Sequence, residues 1–207
     1  MTGFDMRGIG YIIILFFIIE EVCVKKVLVI LAPGFEEIEA LSPVDILRRA
    51  GAHVVTAGTV DGLIEGRNRI RVAPDEDLDA ALKDGEFFDM LVLPGGAVGT
   101  ENLKSDPRVK RLIEIVNAKG AFVTAICAAP TVLSNAGLLD NKRATSHPSV
   151  RKELKGAVIT DERVVIDGNI ITSQGPGTAI EFAFKLVEAL FGQEKADEVN
   201  RTVLARL

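Results

Sequence analysis

The chain has no block of basic residues, no cluster of Cys and His, no apolar stretch of membrane-spanning length and no internal repeat. Each absence removes a class of function. Lys and Arg number 24 against 29 Asp and Glu, a formal net charge of −5, and the basic pairs Lys25-Lys26 and Arg48-Arg49 read as solvated edges. Neutralising phosphate takes clustered cations, so nucleic acid is not the expected partner. The two His, His53 and His147, are far apart, and the two Cys, Cys23 and Cys127, sit in different contexts. Neither a zinc site nor a disulfide framework is expected, and a lone functional Cys suits a reducing compartment. No G-x-G-x-x-G follows the first strand-like run, and Gly175-Pro176-Gly177-Thr178 lacks the Lys of a phosphate-binding P-loop. No cofactor or metal is therefore expected.

What is present is 207 residues, 48% of them hydrophobic, enough for one domain with a sizeable core. The apolar run over residues 9–19 is shorter than the roughly 20 residues a membrane span needs, and no small-x-small cleavage site follows it. Two expectations cover residues 1–23. They are a weak membrane anchor or, preferably, upstream sequence ahead of a start at Val24 read from a GTG codon. Glu20-Glu21-Val22 can be encoded by a prokaryotic ribosome-binding sequence, which fits the second, and Cys23 then has no function. A single domain runs over 24–207.

Along that domain, apolar runs at Lys26–Leu31, His53–Ala57, Met90–Leu93 and Ala121–Ile126 read as strands, the first and third buried as in a parallel sheet. Acids at Glu36, Glu37 and Glu39 open a helix, and Ser42-Pro43 looks like a cap at which it restarts or kinks before Gly51 stops it. Residues 58–74 read as irregular, with a hairpin around Asp61-Gly62 and a strand near Ile70–Val72. Leu78–Leu82 reads as a short helix, and Pro107–Ala118 as an amphipathic one. Val158-Ile159, Val164–Ile166 and Ile170-Ile171 read as strands, the last two joined by a turn at Asp167-Gly168. Helices are expected over Thr178–Leu190 and Glu194–Leu204. The alternation implies an α/β fold, a mostly parallel sheet with helices on both faces, which binds ligands beyond the carboxyl ends of its strands.

Three turns fall at those ends: Pro33-Gly34, Pro94-Gly95-Gly96 and Cys127. Cys127 stands between a strand-like run and a helical pattern, where unpaired N–H groups favour a thiolate. It reads equally as a nucleophile and as a small buried hydrophobe. Gly95 and Gly96 can present N–H groups to an oxyanion, together with Ala128, or simply make a tight turn. One of the three acids can face the sulfur while the other two are solvated charges. His147, in Thr145-Ser146-His147-Pro148, is a candidate base or a structural loop residue.

These residues bring a family with them. Leu28-Val29-Ile30-Leu31-Ala32-Pro33-Gly34-Phe35-Glu36-Glu37-Ile38-Glu39, Pro43-Val44-Asp45-Ile46-Leu47-Arg48-Arg49-Ala50-Gly51, Val92-Leu93-Pro94-Gly95-Gly96, Ala125-Ile126-Cys127-Ala128-Ala129-Pro130, Thr145-Ser146-His147-Pro148 and Thr172-Ser173-Gln174-Gly175-Pro176-Gly177-Thr178 occur in one order. From Val24 to the C-terminus the chain closely resembles the ThiJ/PfpI superfamily, in particular its DJ-one branch, the parkinsonism-associated deglycase group. The resemblance implies a flavodoxin-like three-layer sandwich of the class I glutamine amidotransferase-like kind, and a cytoplasmic homodimer. It matches Cys127 to the family's reactive Cys, Glu39 to its protonated carboxyl, His147 to its nearby His, and Gly96 and Ala128 to its oxyanion donors. The peptidase-like branch has His where Ala128 stands. Arg67-Asn68-Arg69 lies where the branch has an anion-binding Arg, and neither Arg here is given a role.

The resemblance implies a cofactor-independent glyoxalase or protein deglycase-like enzyme that uses the Cys on a small aldehyde or dicarbonyl such as methylglyoxal. Two alternatives remain open: a cysteine-based oxidative-stress sensor or chaperone, and a PfpI-like intracellular cysteine peptidase.

Overall fold

The computed structural model describes residues 24–83 and 87–205. The expectations for residues 1–23, Cys23 included, lie outside them. Eleven strands occur among the described residues: β1 (Lys26–Leu31), β2 (His53–Gly58), β3 (Ile64–Glu65), β4 (Arg71–Val72), β5 (Glu76–Asp77), β6 (Met90–Leu93), β7 (Phe122–Ile126), β8 (Arg143–Ala144), β9 (Val158–Ile159), β10 (Val164–Asp167) and β11 (Ile170–Ser173). Six α-helices accompany them: α1 (Glu37–Arg49), α2 (Ala97–Ser105), α3 (Pro107–Ala118), α4 (Pro130–Asn135), α5 (Ala179–Phe191) and α6 (Gln193–Val203).

Seven strands form the central sheet in the order β10-β11-β7-β6-β1-β2-β5. All its neighbours are parallel except the β10–β11 hairpin at one edge, whose register pairs Asp167 with Ile170. The strand period of two sorts β1 between two cores. Val27, Val29 and Leu31 join Ala40, Val44 and Leu47 of α1 and Phe182 and Leu186 of α5 on one face. Leu28 and Ile30 join Val109, Leu112 and Ile113 of α3 and Leu133 of α4 on the other. This is the flavodoxin-like sandwich, and it explains why β1 reads as an unbroken apolar run.

Three local expectations are corrected. Helix α1 runs continuously through Pro43 and neither restarts nor caps at Ser42. Pro43 withholds one N–H from the helix ladder, but packing of the Ala40–Val44–Leu47 face against α5 carries the helix across it. Leu78–Leu82 forms turns. The hairpin in the irregular stretch is β3–β4, which turns over residues 66–70 and not at Asp61-Gly62. Helix α2 is additional, and its pattern is hard to read because its buried residues are Gly99, Thr100 and Leu103. Gly99 is needed there: a Cβ would stand 2.7 Å from the Phe35 backbone nitrogen.

Candidate active site

The sheet order brings the carboxyl ends of β7, β6 and β1 side by side. The turns that follow them therefore meet. After β7 the chain reverses at Cys127, whose φ of 65° is the left-handed conformation that a non-glycine residue adopts at a cost of about 1–2 kcal/mol. Backbone bonds hold it there. The Cys127 N–H donates to the Ser173 carbonyl at 2.9 Å, and its own carbonyl accepts from the His147 N–H at 2.8 Å. The thiol is free and 7% exposed.

Glu39 reaches the sulfur from the first turn of α1 and is wholly buried. Its Oε2 accepts from the Gly95 N–H at 2.9 Å, and its Oε1 has no partner besides the adjacent Cys127 thiol. Gly95 is thus committed to the carboxyl, which corrects its expected place among the oxyanion donors. The N–H groups directed at the sulfur are those of Gly96 and Ala128. Space also fixes both glycines. A Cβ on Gly95 would stand 2.6 Å from Glu39 Oε2 and 2.7 Å from Cys127 Cβ, and one on Gly96, at φ 91°, would stand 2.4 Å from the Gly34 carbonyl oxygen.

The other two acids are not the solvated charges expected of them. Glu36 is buried and caps α1, its Oε2 accepting from the Glu39 N–H at 3.0 Å. Glu37, also buried, accepts from the Asn68 N–H at 2.7 Å, the Asn68 Nδ2 at 2.9 Å and the Ile70 N–H at 3.4 Å. Burial pushes its carboxyl up, but hydrogen bonds from its own N–H, Asn68 and Ile70 outweigh this and hold it below the usual value. Glu37 so ties the 66–70 turn to α1 and brings Arg67 to the rim of the site.

Electrostatics couple Cys127 and Glu39. Burial pushes the carboxyl up to about 7, with the charge of Glu36 acting in the same direction and the Cys127 hydrogen bond against it. Burial also pushes the thiol up to about 12; the next causes are the charge of an ionised Glu39 and its hydrogen bond, while the N–H groups of Gly96 and Ala128 act the other way. Two adjacent charges are excluded here, so near neutral pH the pair holds one proton and one negative charge. Two N–H groups face the sulfur and one faces the carboxyl. A proton on Glu39 removes both of Glu39's contributions to the thiol's rise and turns the carboxyl into a donor. In that state burial alone opposes a charge on the sulfur, and the N–H groups of Gly96 and Ala128 favour one. The N–H groups that favour it belong to the turns at Gly96 and Ala128 and not, as expected, to the dipole of the following helix, since α4 is only six residues long.

A cleft of about 290 Å3 opens over the sulfur, lined by Cys127, Ala128, Thr131, His147, Ser149 and Arg67 among others. His147 is exposed and backs onto Gly175, where a Cβ would stand 3.6 Å from His147 Cδ2 and 4.0 Å from Cys127 Sγ. Cys127, Glu39, Gly96, Ala128 and His147 are thus brought together as the sequence suggested. Thr100 was not legible: its hydroxyl is buried on the cleft wall with no hydrogen-bond partner, and it lies on the unanticipated helix α2. Lys104 on the same helix is held by Glu101 at 2.8 Å and Glu153 at 3.2 Å. A larger cavity of about 540 Å3 between α5 and α6 contains none of these groups, and its charged side chains bond one another, as Arg163 does Glu181. Among the described residues no group of three or more His, Cys, Asp or Glu could hold a metal ion, and no helix is long and apolar enough to cross a membrane.

The DJ-1/PfpI family pattern matches residues 25–189, and the chain belongs to that family. It is 43% identical over 183 residues to the protein dj-1beta of Drosophila melanogaster, covering 87% of this chain and 97% of that one. It is 38% identical over 180 residues to the glutathione-independent glyoxalase DJR-1.2 of Caenorhabditis elegans, covering 84% and 94%. The crystal structure of Drosophila melanogaster DJ-1beta superposes with a TM-score of 0.85 at 41% identity, covering 89% of this chain and all of that one.

Proposed function

We propose that this protein is a cofactor-independent glyoxalase that converts α-oxoaldehydes such as methylglyoxal to 2-hydroxy acids, with Cys127 as nucleophile and Glu39 as acid and base. The observation that carries the reading is a wholly buried carboxyl set against the sulfur of a left-handed cysteine. The activity in the name of the Caenorhabditis elegans relative supports it. The Cys127 thiolate adds to the aldehyde carbon, and the carbonyl electron pair moves to its oxygen. That oxygen sits among the N–H groups of Gly96 and Ala128 and takes the proton from Glu39. The Glu39 carboxylate then removes the hydrogen of the attacked carbon as a proton, and the freed pair forms an enediol with the neighbouring carbon. Glu39 returns that proton to the second carbon. The hydroxyl proton of the first carbon passes to the second oxygen, leaving a hydroxyacyl thioester. Water hydrolyses the thioester to lactate and frees Cys127. The oxidation of one carbon balances the reduction of the other, so no external redox partner enters.

Purified wild type is expected to form lactate from methylglyoxal without glutathione, and Cys127→Ala to form none. Equal rates in the two proteins would reject the proposal. The same reading includes a homodimer in the cytoplasm. Ile38 and Leu41 on α1 and the nearby Ile70 are exposed apolar residues that a second copy would cover. A second reading, a redox sensor, is favoured by one feature: Glu39 Oε1, free of other partners, can donate to an oxidised sulfur. It requires oxygen addition at Cys127 in intact mass spectra after mild peroxide, and an unchanged mass would exclude it.

A further inference from the structure

His147 Nδ1 has two neighbours, both from Ser149. The Ser149 hydroxyl oxygen lies 2.7 Å away, and the Ser149 N–H donates to the same nitrogen at 3.3 Å. A ring nitrogen that accepts a backbone N–H carries no proton of its own. With Nδ1 as the acceptor, the Ser149 O–H is its second donor and the ring proton falls on Nε2. Capping of the 3₁₀ segment Pro148–Glu153 accounts for the backbone bond but not for the hydroxyl one.

The segment that carries the ring is anchored at both ends. The His147 N–H is bonded to the Cys127 carbonyl at 2.8 Å. The far end of the 3₁₀ segment is held by Ser134 Oγ on the Glu153 carbonyl at 3.3 Å and by Lys104 on the Glu153 carboxylate at 3.2 Å. With Nδ1 turned to Ser149, Cδ2 faces Gly175 beside the sulfur, and the ring lines the cleft.

We propose that Ser149 is a positioning residue that fixes His147 in its Nε2–H tautomer and so makes it a hydrogen-bond donor to the substrate rather than a base. The donor role rests on the proposed glyoxalase function; the tautomer does not. The Gly96 and Ala128 N–H groups serve the oxygen of the attacked carbon, and His147 Nε2–H serves the oxygen on the neighbouring carbon. When Glu39 removes the proton from the first carbon, the freed electron pair forms the carbon–carbon double bond and the second carbonyl pair moves onto its oxygen. Nε2–H stabilises that charge without giving up its proton, as a neutral imidazole can. Proton removal and return then fall to Glu39 alone, which ends the choice between Glu39 and His147 as base.

The small histidine count makes the test direct, since His53 and His147 are the only two. Long-range proton–nitrogen correlation spectra of 15N-histidine-labelled protein at pH about 8.5, where an imidazole is neutral, report the tautomer, and His53→Gln assigns the signals. His147 is expected to carry its proton on Nε2. Ser149→Ala is expected to lower the Nε2–H to Nδ1–H ratio about fivefold, the worth of one ordinary hydrogen bond, and Ser149→Thr to retain it. In lactate formation, Ser149→Ala is expected to lower kcat about fivefold with KM unchanged, and Ser149→Thr to restore it. A proton found on Nδ1, or a ratio unmoved in Ser149→Ala, overturns the proposal. A wild type that forms no lactate overturns the donor role, and the spectra then test the tautomer separately.

Discussion

At the scale of single residues, the site is an arrangement of very few donors around one buried charge. Glu39 needs ionisation to act as a base and burial to keep its proton at rest, and a carboxyl held at about 7 satisfies both. Glu39→Gln is expected to lower kcat/KM for methylglyoxal by about 100-fold or more. Retention of most of the activity would remove the carboxyl from the mechanism. Gly95 is fixed by contact and not by φ, since any Cβ meets both Glu39 and Cys127. Gly95→Ala is expected to destabilise the fold by about 1–3 kcal/mol in urea melts and to abolish activity; a neutral change would mean that the two turns can move apart. Cys127, Glu39 and His147 were legible as residues because their motifs are local. The donors were only partly so. A Gly-Gly pair does not say which N–H faces the sulfur, and folding assigns Gly95 to the carboxyl.

At the scale of elements, the strands that carry the site were readable because parallel strands buried on both faces leave continuous apolar runs, as β1 and β6 do. The helices with mixed buried faces were not. In α2 the inward face is Gly99, Thr100 and Leu103, so close approach to the Phe35 backbone replaces an apolar stripe. In α1 a proline that signals a break is overridden by packing on α5. The acids at the start of α1 misled for the same reason: Glu37 looks like a helix-dipole charge, but tertiary contacts give it the 66–70 turn to hold. Glu37→Ala is expected to speed hydrogen exchange at the Asn68 and Ile70 amides and to cost about 2–3 kcal/mol. Unchanged exchange would show that β3–β4 holds the turn by itself. The folded Glu37 carboxyl lies below its ordinary value of 4.5, so its contribution is present above pH about 4.5 and is lost as pH falls.

At the scale of the whole molecule, Glu39 acts on stability with the opposite sign. Its folded value of about 7 lies above the ordinary 4.5, so the fold binds a proton that the unfolded chain has released. That contribution is complete below pH about 4.5 and is lost as pH rises through about 7, on the order of 3 kcal/mol in all. Urea melts in a Cys127→Ala background, with and without Glu39→Gln, are expected to show the Glu39 protein losing this much more stability between pH 4.5 and 7.5; parallel curves would contradict the burial argument. The assembly is tested by light scattering. The 22.2 kDa chain is expected at twice its mass, and Ile38→Glu at its monomer mass; a monomeric wild type would leave Ile38, Leu41 and Ile70 uncovered.

The claim on which the rest stands is that one charge sits on the Cys127 sulfur while Glu39 keeps the proton. Thiolate absorbance near 240 nm, titrated from pH 4 to 10 as the difference between wild type and Cys127→Ala, measures this directly. A thiolate step well below the ordinary thiol value of 9 is expected. Absorbance that appears only above pH 9 would mean that burial holds the proton on sulfur, and would contradict the account.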